Sequence, residues 1–241
     1  MENWFDTWFN TPYYHLLYKD RNVQEADFFL NNLLTYLKPL KTDRFLDIAC
    51  GKGRHAVSIH QKGFTVEGID LSSKSIDYAN TFSEKGLSFS CHDMRQIYKR
   101  EAFHYVLNLF TSFGYFNSKE ENQKAINAMA ANLKKGGKVI IDFMNSKKVI
   151  HELVKHDIKK VEHISFDINR KVTNGLIIKD IRFQDQNNLY HFQERVQALE
   201  LLDFMHFFEK AGLKIINLWG DYSLNDFDTI HSPRLILLAQ K

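Results

Sequence analysis

A glycine-containing turn between a predicted strand and a predicted helix holds the side chains with the clearest chemical meaning. Residues 45–55 read Phe-Leu-Asp-Ile-Ala-Cys-Gly-Lys-Gly-Arg-His, an apolar run that leads into Gly51-x-Gly53. Glycines let the backbone bend sharply there and let a ligand approach closely, because no Cβ intervenes. Asp70 ends the next apolar run, where a carboxylate can accept both hydroxyls of a ribose. The spacing therefore predicts a site for a nucleotide or nucleoside.

Two ligand classes fit this turn. With Ala56 following the glycines, it satisfies the fingerprint of NAD-binding proteins, so an NAD(P)-dependent oxidoreductase stays an alternative. Asp47 inside the first strand favours S-adenosylmethionine, because an ammonium group attracts a carboxylate, whereas a pyrophosphate needs amide donors and a helix dipole. Asp93 follows the third strand and is placed to accept a hydrogen bond from the exocyclic amine of an adenine, with Met94 against the ring.

Alternating strands and helices position these residues. Apolar runs predict buried parallel strands, and helical stretches separate them near 53–62, 73–85 and 119–134. A helix at 201–211 precedes two further apolar runs that no crossover helix joins, so these two should pair antiparallel. The pattern predicts an α/β fold with a Rossmann-like, doubly wound sheet that ends in a hairpin. The predicted strands are 44–49, 64–70, 87–91, 103–109, 138–143, 213–219 and 234–240.

Two appendages are expected on a single domain that spans residues 1–241. Residues 1–40 form an N-terminal arm and helix, which Pro39 ends. Residues 157–200 form a small antiparallel β insertion, expected to act as a lid on the acceptor side. Period-2 alternation at 160–168, 176–183 and 189–199 and the hairpin dipeptide Asn174-Gly175 predict three or four strands there.

Composition limits the classes of function. The 241 residues are 44% hydrophobic and 25% charged, as in ordinary globular proteins. A net charge of +3 is too small to indicate a nucleic-acid partner, and no apolar run approaches the roughly 20 residues of a membrane helix. With 2 cysteines and no recognisable signal peptide, we expect a cytoplasmic protein. No histidine pair falls at metal-ligand spacing with a cysteine or carboxylate, so no metal is expected. The protein could be a monomer or a homodimer.

Together these motifs make the chain resemble class I S-adenosylmethionine-dependent methyltransferases. The resemblance implies a seven-stranded sheet in the order 3-2-1-4-5-7-6 with strand 7 antiparallel. It implies S-adenosyl-L-methionine as the cofactor and methyl transfer to nitrogen or oxygen of a small-molecule acceptor. A non-catalytic protein that binds the cofactor on the same fold stays a further alternative. The motifs that carry the resemblance are residues 46–55, 66–72, 91–97, 107–116, 133–143 and 232–240.

The same resemblance implies roles for individual residues. Asp70 binds the cofactor ribose, the turn at 49–53 lies under the methionine moiety, Asp93 and Met94 bracket the adenine, and residues 108–109 line the sulfonium end. The residues expected to bind the cofactor are Tyr18, Arg21, Asp47, Ala49, Cys50, Gly51, Gly53, Asp70, Leu71, Asp93, Met94, Asn108 and Leu109.

A narrower resemblance covers the N-terminus. Residues 14–21, Tyr-His-Leu-Leu-Tyr-Lys-Asp-Arg, are similar to the opening arm of bacterial small-molecule N-methyltransferases, including those that act on amino sugars. In such enzymes the arm lies over the cofactor, which would bring Arg21 toward the cofactor's carboxylate. Enzymes of this kind that act on amino sugars carry a histidine where this chain has Tyr115. The resemblance therefore does not imply that the acceptor is a sugar or that a histidine acts as the base.

Tyr14 and Tyr115 are the predicted catalytic residues. Because a phenol has a pKa near 10, it is a poor base at neutral pH. We therefore expect both hydroxyls to orient the acceptor's lone pair by hydrogen bonding. The alternative is that their rings only pack over the cofactor.

Overall fold

A computed structural model describes residues 7–19 and 23–241 of the chain. Its helices are α1 Pro12–Leu17, α2 Val23–Leu37, α3 Arg54–Gln61, α4 Ser73–Ala79, α5 Lys119–Asn132, α6 Ser146–His151 and α7 Leu201–Lys210. Its strands are β1 Arg44–Ile48, β2 Thr65–Asp70, β3 Leu87–Cys91, β4 Phe103–Asn108, β5 Leu133–Met144, β6 His156–Val161, β7 Ile164–Thr173, β8 Leu176–Asp185, β9 Asn188–Gln197, β10 Lys214–Trp219 and β11 Arg234–Gln240. Among the described residues, no helix has the length and apolar character needed to cross a membrane.

The main sheet has seven strands in the order β10-β11-β5-β4-β1-β2-β3. Strands β1 to β5 are parallel to one another, and β11 runs antiparallel to both β5 and β10. The order 3-2-1-4-5-7-6 and the closing hairpin are thus confirmed. Buried apolar side chains lie on both faces of this sheet, as expected for strands that helices cover on both sides.

A second sheet has four antiparallel strands in the order β6-β7-β8-β9, which confirms the predicted insertion of antiparallel strands. The expected strand at 160–168 is wrong, because the chain turns at residues 162–163, between β6 and β7. Glu162 takes the left-handed conformation there, with φ of 55°. Glutamate is not a residue type that typically forms turns. The alternating pattern before and after Glu162 therefore predicted one continuous strand.

The N-terminal segment 7–19 packs against this second sheet. Trp8 and Leu17 are each 1% exposed and share a hydrophobic cluster with Phe166 and Ile181 of β7 and β8. The second sheet therefore buries its apolar side chains beneath the segment that was expected to lie over the cofactor.

Candidate active site

A cavity of ≈ 780 Å³ opens where the loops after β1, β2, β3 and β4 meet the N-terminal segment. All four loops follow the carboxyl ends of parallel strands, which is where open α/β sheets bind their ligands. Most of the residues that the sequence proposed for the site line this cavity. They are Tyr14, Tyr18, Ala49, Cys50, Gly51, Asp70, Leu71, Asp93, Met94, Leu109 and Tyr115.

Three of the proposed residues that the structure describes do not line it. Asp47 and Asn108 are 1% and 0% exposed, and neither belongs to the lining. The Asn108 amide donates to the carbonyl oxygens of Ile48 and Ser112 at 3.1 and 3.4 Å, and it does not line the sulfonium end as expected. Gly53 packs against β3, and Arg21 lies outside the described residues.

The glycine turn shows why these two positions lack a side chain. Gly51 has φ of +55° and faces open space, because a Cβ added there would meet no atom within 4 Å. Gly53 has φ of +84°, and a Cβ there would lie 2.7 Å from the Phe89 ring. The first glycine therefore leaves room for a ligand, and the second allows close packing of α3 on β3.

The Asp70 carboxylate is oriented by backbone amides. Gly51 N donates to its Oδ2 at 2.8 Å, and Ser72 N donates to its Oδ1 at 2.8 Å. Burial raises the pKa of Asp70, and these amide bonds offset part of that effect. An ionised carboxylate has about four lone-pair sites, so Asp70 can accept further hydrogen bonds from a diol within the cavity.

Asp47 presents a buried oxygen that has no hydrogen-bond partner among residues 7–19 and 23–241. Its Oδ2 makes no hydrogen bond, which is costly for a buried polar atom. Burial, reinforced by the nearby charge of Asp70, raises the pKa of Asp47 to about 7, against a backbone hydrogen bond from Ala56 and the charge of Arg54. A cationic ammonium group at this point would satisfy the carboxylate. The residues present therefore fit the amino-acid end of S-adenosylmethionine.

Aromatic rings form the end of the cavity nearest the N-terminal segment. The ring of Phe9 lies 4.8 Å from that of Tyr14 and 5.5 Å from that of Tyr115, and Tyr14 lies 5.1 Å from Tyr18. The arm and the loop after β4 thus meet through Phe9, a residue that was not predicted from the sequence to belong to the site. The Tyr115 hydroxyl donates to the Thr111 carbonyl oxygen at 2.7 Å, and a phenol oxygen is in general both a donor and an acceptor.

Glu194 of β9 anchors the N-terminal segment. It accepts hydrogen bonds from Trp8 Nε1 at 2.8 Å and from the Tyr18 hydroxyl at 2.7 Å. Lys179 of β8 also donates to the Tyr18 oxygen and lies 3.7 Å from Glu194. These contacts fix the Tyr18 ring at the cavity wall, while the Tyr18 hydroxyl makes its hydrogen bonds with residues of the second sheet.

The turn after β4 is held by an ion pair between the buried carboxylate of Asp142 and the partly exposed guanidinium of Arg234. Phe110 and Thr111 both have left-handed backbone conformations, with φ of 57° and 59°, which cost energy for residues other than glycine. Asp142 of β5 accepts from Phe110 N at 2.8 Å, and Arg234 of β11 donates to Asp142 at 2.8 Å and to the Thr111 hydroxyl at 2.9 Å. The closing hairpin therefore stabilises the loop that carries Tyr115.

Further lining residues were not proposed from the sequence. The imidazole of His55 stacks on the Phe110 ring at 4.9 Å, and the Arg54 guanidinium lies over the same ring at 5.1 Å. Both residues directly follow the glycine turn, and from that position they could have been predicted to line the site. The others include Phe9, His15, Lys19, Asp27, Lys52, Val57, Ser58, Gln61, Ser72, Ser75, Tyr78, Phe82, His92, Phe110, Ser112, Phe113 and Phe116.

Known proteins share both the sequence pattern and the fold. A family model described as a methyltransferase domain matches residues 45–137. A putative methyltransferase of Bacillus subtilis, YqeM, is 31% identical over 109 residues, and the match spans only 44% of each chain. The glycine/sarcosine N-methyltransferase of Aphanothece halophytica is 27% identical over 215 residues, which cover 84% of this chain and 76% of that protein.

An amino-sugar enzyme and a solved structure extend this similarity. The dTDP-3-amino-3,4,6-trideoxy-alpha-D-glucopyranose N,N-dimethyltransferase of Streptomyces venezuelae is 23% identical over 186 residues, covering 73% of this chain and 77% of that one. An S-adenosylmethionine-dependent methyltransferase from Clostridium acetobutylicum superposes with a TM-score of 0.80 over 95% of both chains, at 20% identity. At that identity the superposition establishes the fold.

Proposed function

We propose that this chain is an S-adenosylmethionine-dependent methyltransferase that methylates the nitrogen of a small-molecule amine. The observation that carries the choice of nitrogen is the aromatic end of the cavity, formed by Phe9, Tyr14, Tyr18 and Tyr115. Aromatic faces attract cations, and an amine nitrogen acquires positive charge as it is methylated. The N-methyltransferases of glycine/sarcosine and of an amino sugar that match most of the chain support the same choice.

The cavity provides separate places for the parts of the cofactor. The carboxylate of Asp70 would hold the ribose hydroxyls, and the buried carboxylate of Asp47 would pair with the ammonium group. Asp93 and Met94, after β3, would hold the adenine. S-adenosylmethionine supplies a methyl carbon on a sulfonium, which is already a good leaving group.

The protein's own part in the reaction is alignment and the exclusion of water. Tyr14 and Tyr115 would hold the acceptor so that its nitrogen lone pair faces the methyl group, since effective alignment lowers a bimolecular barrier substantially. The aromatic walls keep water away from the electrophile. An amine that arrives neutral needs no strong base, and the phenols are not required to supply one.

The second sheet acts on the acceptor side indirectly in this proposal. Among the described residues that line the cavity, none comes from β6 to β9. Instead Glu194 and its neighbours hold segment 7–19, whose Phe9, Tyr14 and Tyr18 reach the cavity. The insertion at 157–200 would thus serve as the base on which the N-terminal arm closes. A cytoplasmic location and the choice between monomer and homodimer stay predictions from the sequence.

A paired acceptor screen tests the choice of nitrogen. The purified full chain is incubated with S-adenosylmethionine carrying a deuterated methyl group and with amines, including glycine, sarcosine and amino sugars, each beside its hydroxyl counterpart. We expect deuteromethyl products from amines and none from the alcohols, read by product mass, and no product with the Asp70→Ala variant. Methylation of the alcohols in preference to the amines would contradict the proposal.

A further inference from the structure

Arg95 lies behind the end of the cavity assigned to the adenine. Its Nε and Nη2 donate to both carboxylate oxygens of Asp93 at 3.1, 3.0 and 2.6 Å, and its backbone N donates to Oδ1 at 2.9 Å. The Arg95 and Asp93 side chains are 22% and 18% exposed. Asp93 lines the cavity, whereas Arg95 does not. Arg95 thus reaches any ligand only through its neighbours.

The same guanidinium joins two other elements to Asp93. Its Nη1 donates to Glu121 of α5 at 2.5 Å, and its Cζ atom lies over the Phe116 ring, 5.0 Å from the ring centre. Phe116 belongs to the loop after β4 and also lines the cavity. One side chain therefore fixes the Asp93 carboxylate relative to a helix and to Phe116, another residue of the cavity lining.

We propose that Arg95 is a positioning residue that makes the cofactor site selective for a 6-amino purine over a 6-oxo purine. The inference rests on the proposed function, in which Asp93 meets the exocyclic amine of adenine. Three N–H groups of Arg95 donate to the carboxylate, which has roughly four lone-pair sites. In this proposal the remaining acceptor faces the cavity that Asp93 lines. An amine can donate to that acceptor, whereas a 6-oxo group would oppose one acceptor with another.

The charge of Asp93 agrees with this role. Burial raises the pKa of Asp93, but the hydrogen bonds and positive charge of Arg95 outweigh burial and hold it below its ordinary value. Asp93 is therefore an acceptor at neutral pH and has no proton to donate to a 6-oxo group. A bidentate guanidinium fixes the plane of a carboxylate, and an ammonium group does not.

The test compares two ligands that differ only at position 6 of the purine. S-adenosylhomocysteine and its 6-oxo analogue S-inosylhomocysteine are titrated calorimetrically into the wild type, Arg95→Met and Arg95→Lys. The wild type should prefer the amine ligand by about 30-fold or more, the size expected when a buried acceptor loses its donor. Arg95→Met should weaken the amine ligand by about 10-fold and the oxo ligand by less than about 2-fold. Arg95→Lys should fall between.

Arg170 provides the matched control. Its side chain is also 22% exposed and pairs with an aspartate, Asp157, in the second sheet, away from the cavity lining. Arg170→Met should leave the affinities for both ligands unchanged. An Arg95→Met variant that keeps the wild-type preference, or a wild type that has none, overturns the inference. A wild type that binds S-adenosylhomocysteine not at all overturns the proposed function itself.

Discussion

Binding of S-adenosylhomocysteine should release a proton from Asp47. The carboxylate is 1% exposed, its Oδ2 has no hydrogen-bond partner in the described part of the chain, and its pKa is raised from 3.8 to about 7. At pH 6 about nine-tenths of the unliganded molecules therefore carry the proton on Asp47. An ammonium group beside the carboxylate would favour its charged form. The ligand should consequently bind with the loss of nearly one proton at pH 6 and almost none at pH 8.

The predicted magnitude follows from linkage. Between about pH 5 and 7 the affinity should rise by up to about tenfold per pH unit, because protonated Asp47 must first ionise. The released proton is counted by calorimetry at pH 6 in two buffers with different ionisation enthalpies. Asp47→Asn keeps the shape of the side chain and removes its charge. At every pH in this range, the affinity of this variant for the ligand should therefore stay near the affinity that the wild type has at about pH 5.

Stability of the unliganded protein gives an independent check on the sign. Between the unfolded value of 3.8 and the folded value of about 7, the folded state binds more protons than the unfolded state. The unfolding free energy should therefore fall as pH rises through this range, by at most about 1.4 kcal/mol per pH unit from this group. Asp47→Asn should lack that contribution. A ligand affinity that is flat from pH 5 to 8, or proton release that persists in Asp47→Asn, would refute the placement of the ammonium group.

Three further outcomes are expected. Arg234→Met should lower the unfolding free energy, measured by urea denaturation, by about 3–5 kcal/mol, because Asp142 then stays buried without its cation. The same substitution at an exposed arginine should lower the unfolding free energy by less. Glu194→Gln should weaken the anchor of segment 7–19 and speed proteolysis of that segment, while the far-UV circular dichroism spectrum stays unchanged. Cleavage at the wild-type rate would show that Glu194 does not hold the segment. Tyr14→Phe and Tyr115→Phe should each slow turnover about 10-fold with cofactor affinity intact, and wild-type rates would remove the orienting role.

Local sequence patterns were sufficient for the parallel part of the fold. The strand before Gly51 and the strand ending at Asp70 lie where apolar runs predicted them, because buried parallel strands are apolar throughout. The antiparallel closing hairpin was also predicted, from two apolar runs that no crossover helix joins. The turn at Glu162 was not predicted, because its left-handed conformation occurs at a residue type that is not typical of turns.

Contacts between distant residues could not be read from the sequence. The hydrogen bond between Trp8 and Glu194 joins residues 186 positions apart, and the one between Arg234 and Asp142 spans 92 positions. Nothing in the local spacing of either pair predicts the other member. The sequence therefore indicated which loops meet at the cavity, while the residues that hold those loops became visible only in three dimensions.

Calorimetric titration of S-adenosylhomocysteine into the wild type and Asp70→Ala tests the central claim most directly. Asp70 lies in the cavity with its carboxylate oriented by Gly51 and Ser72, and the variant would lose two charge-assisted hydrogen bonds to a ribose. We predict single-site binding by the wild type, an affinity at least about 30-fold weaker in the variant, and no binding of NAD in a parallel titration. Equal affinities in the two proteins, or binding of NAD in place of S-adenosylhomocysteine, would contradict the account.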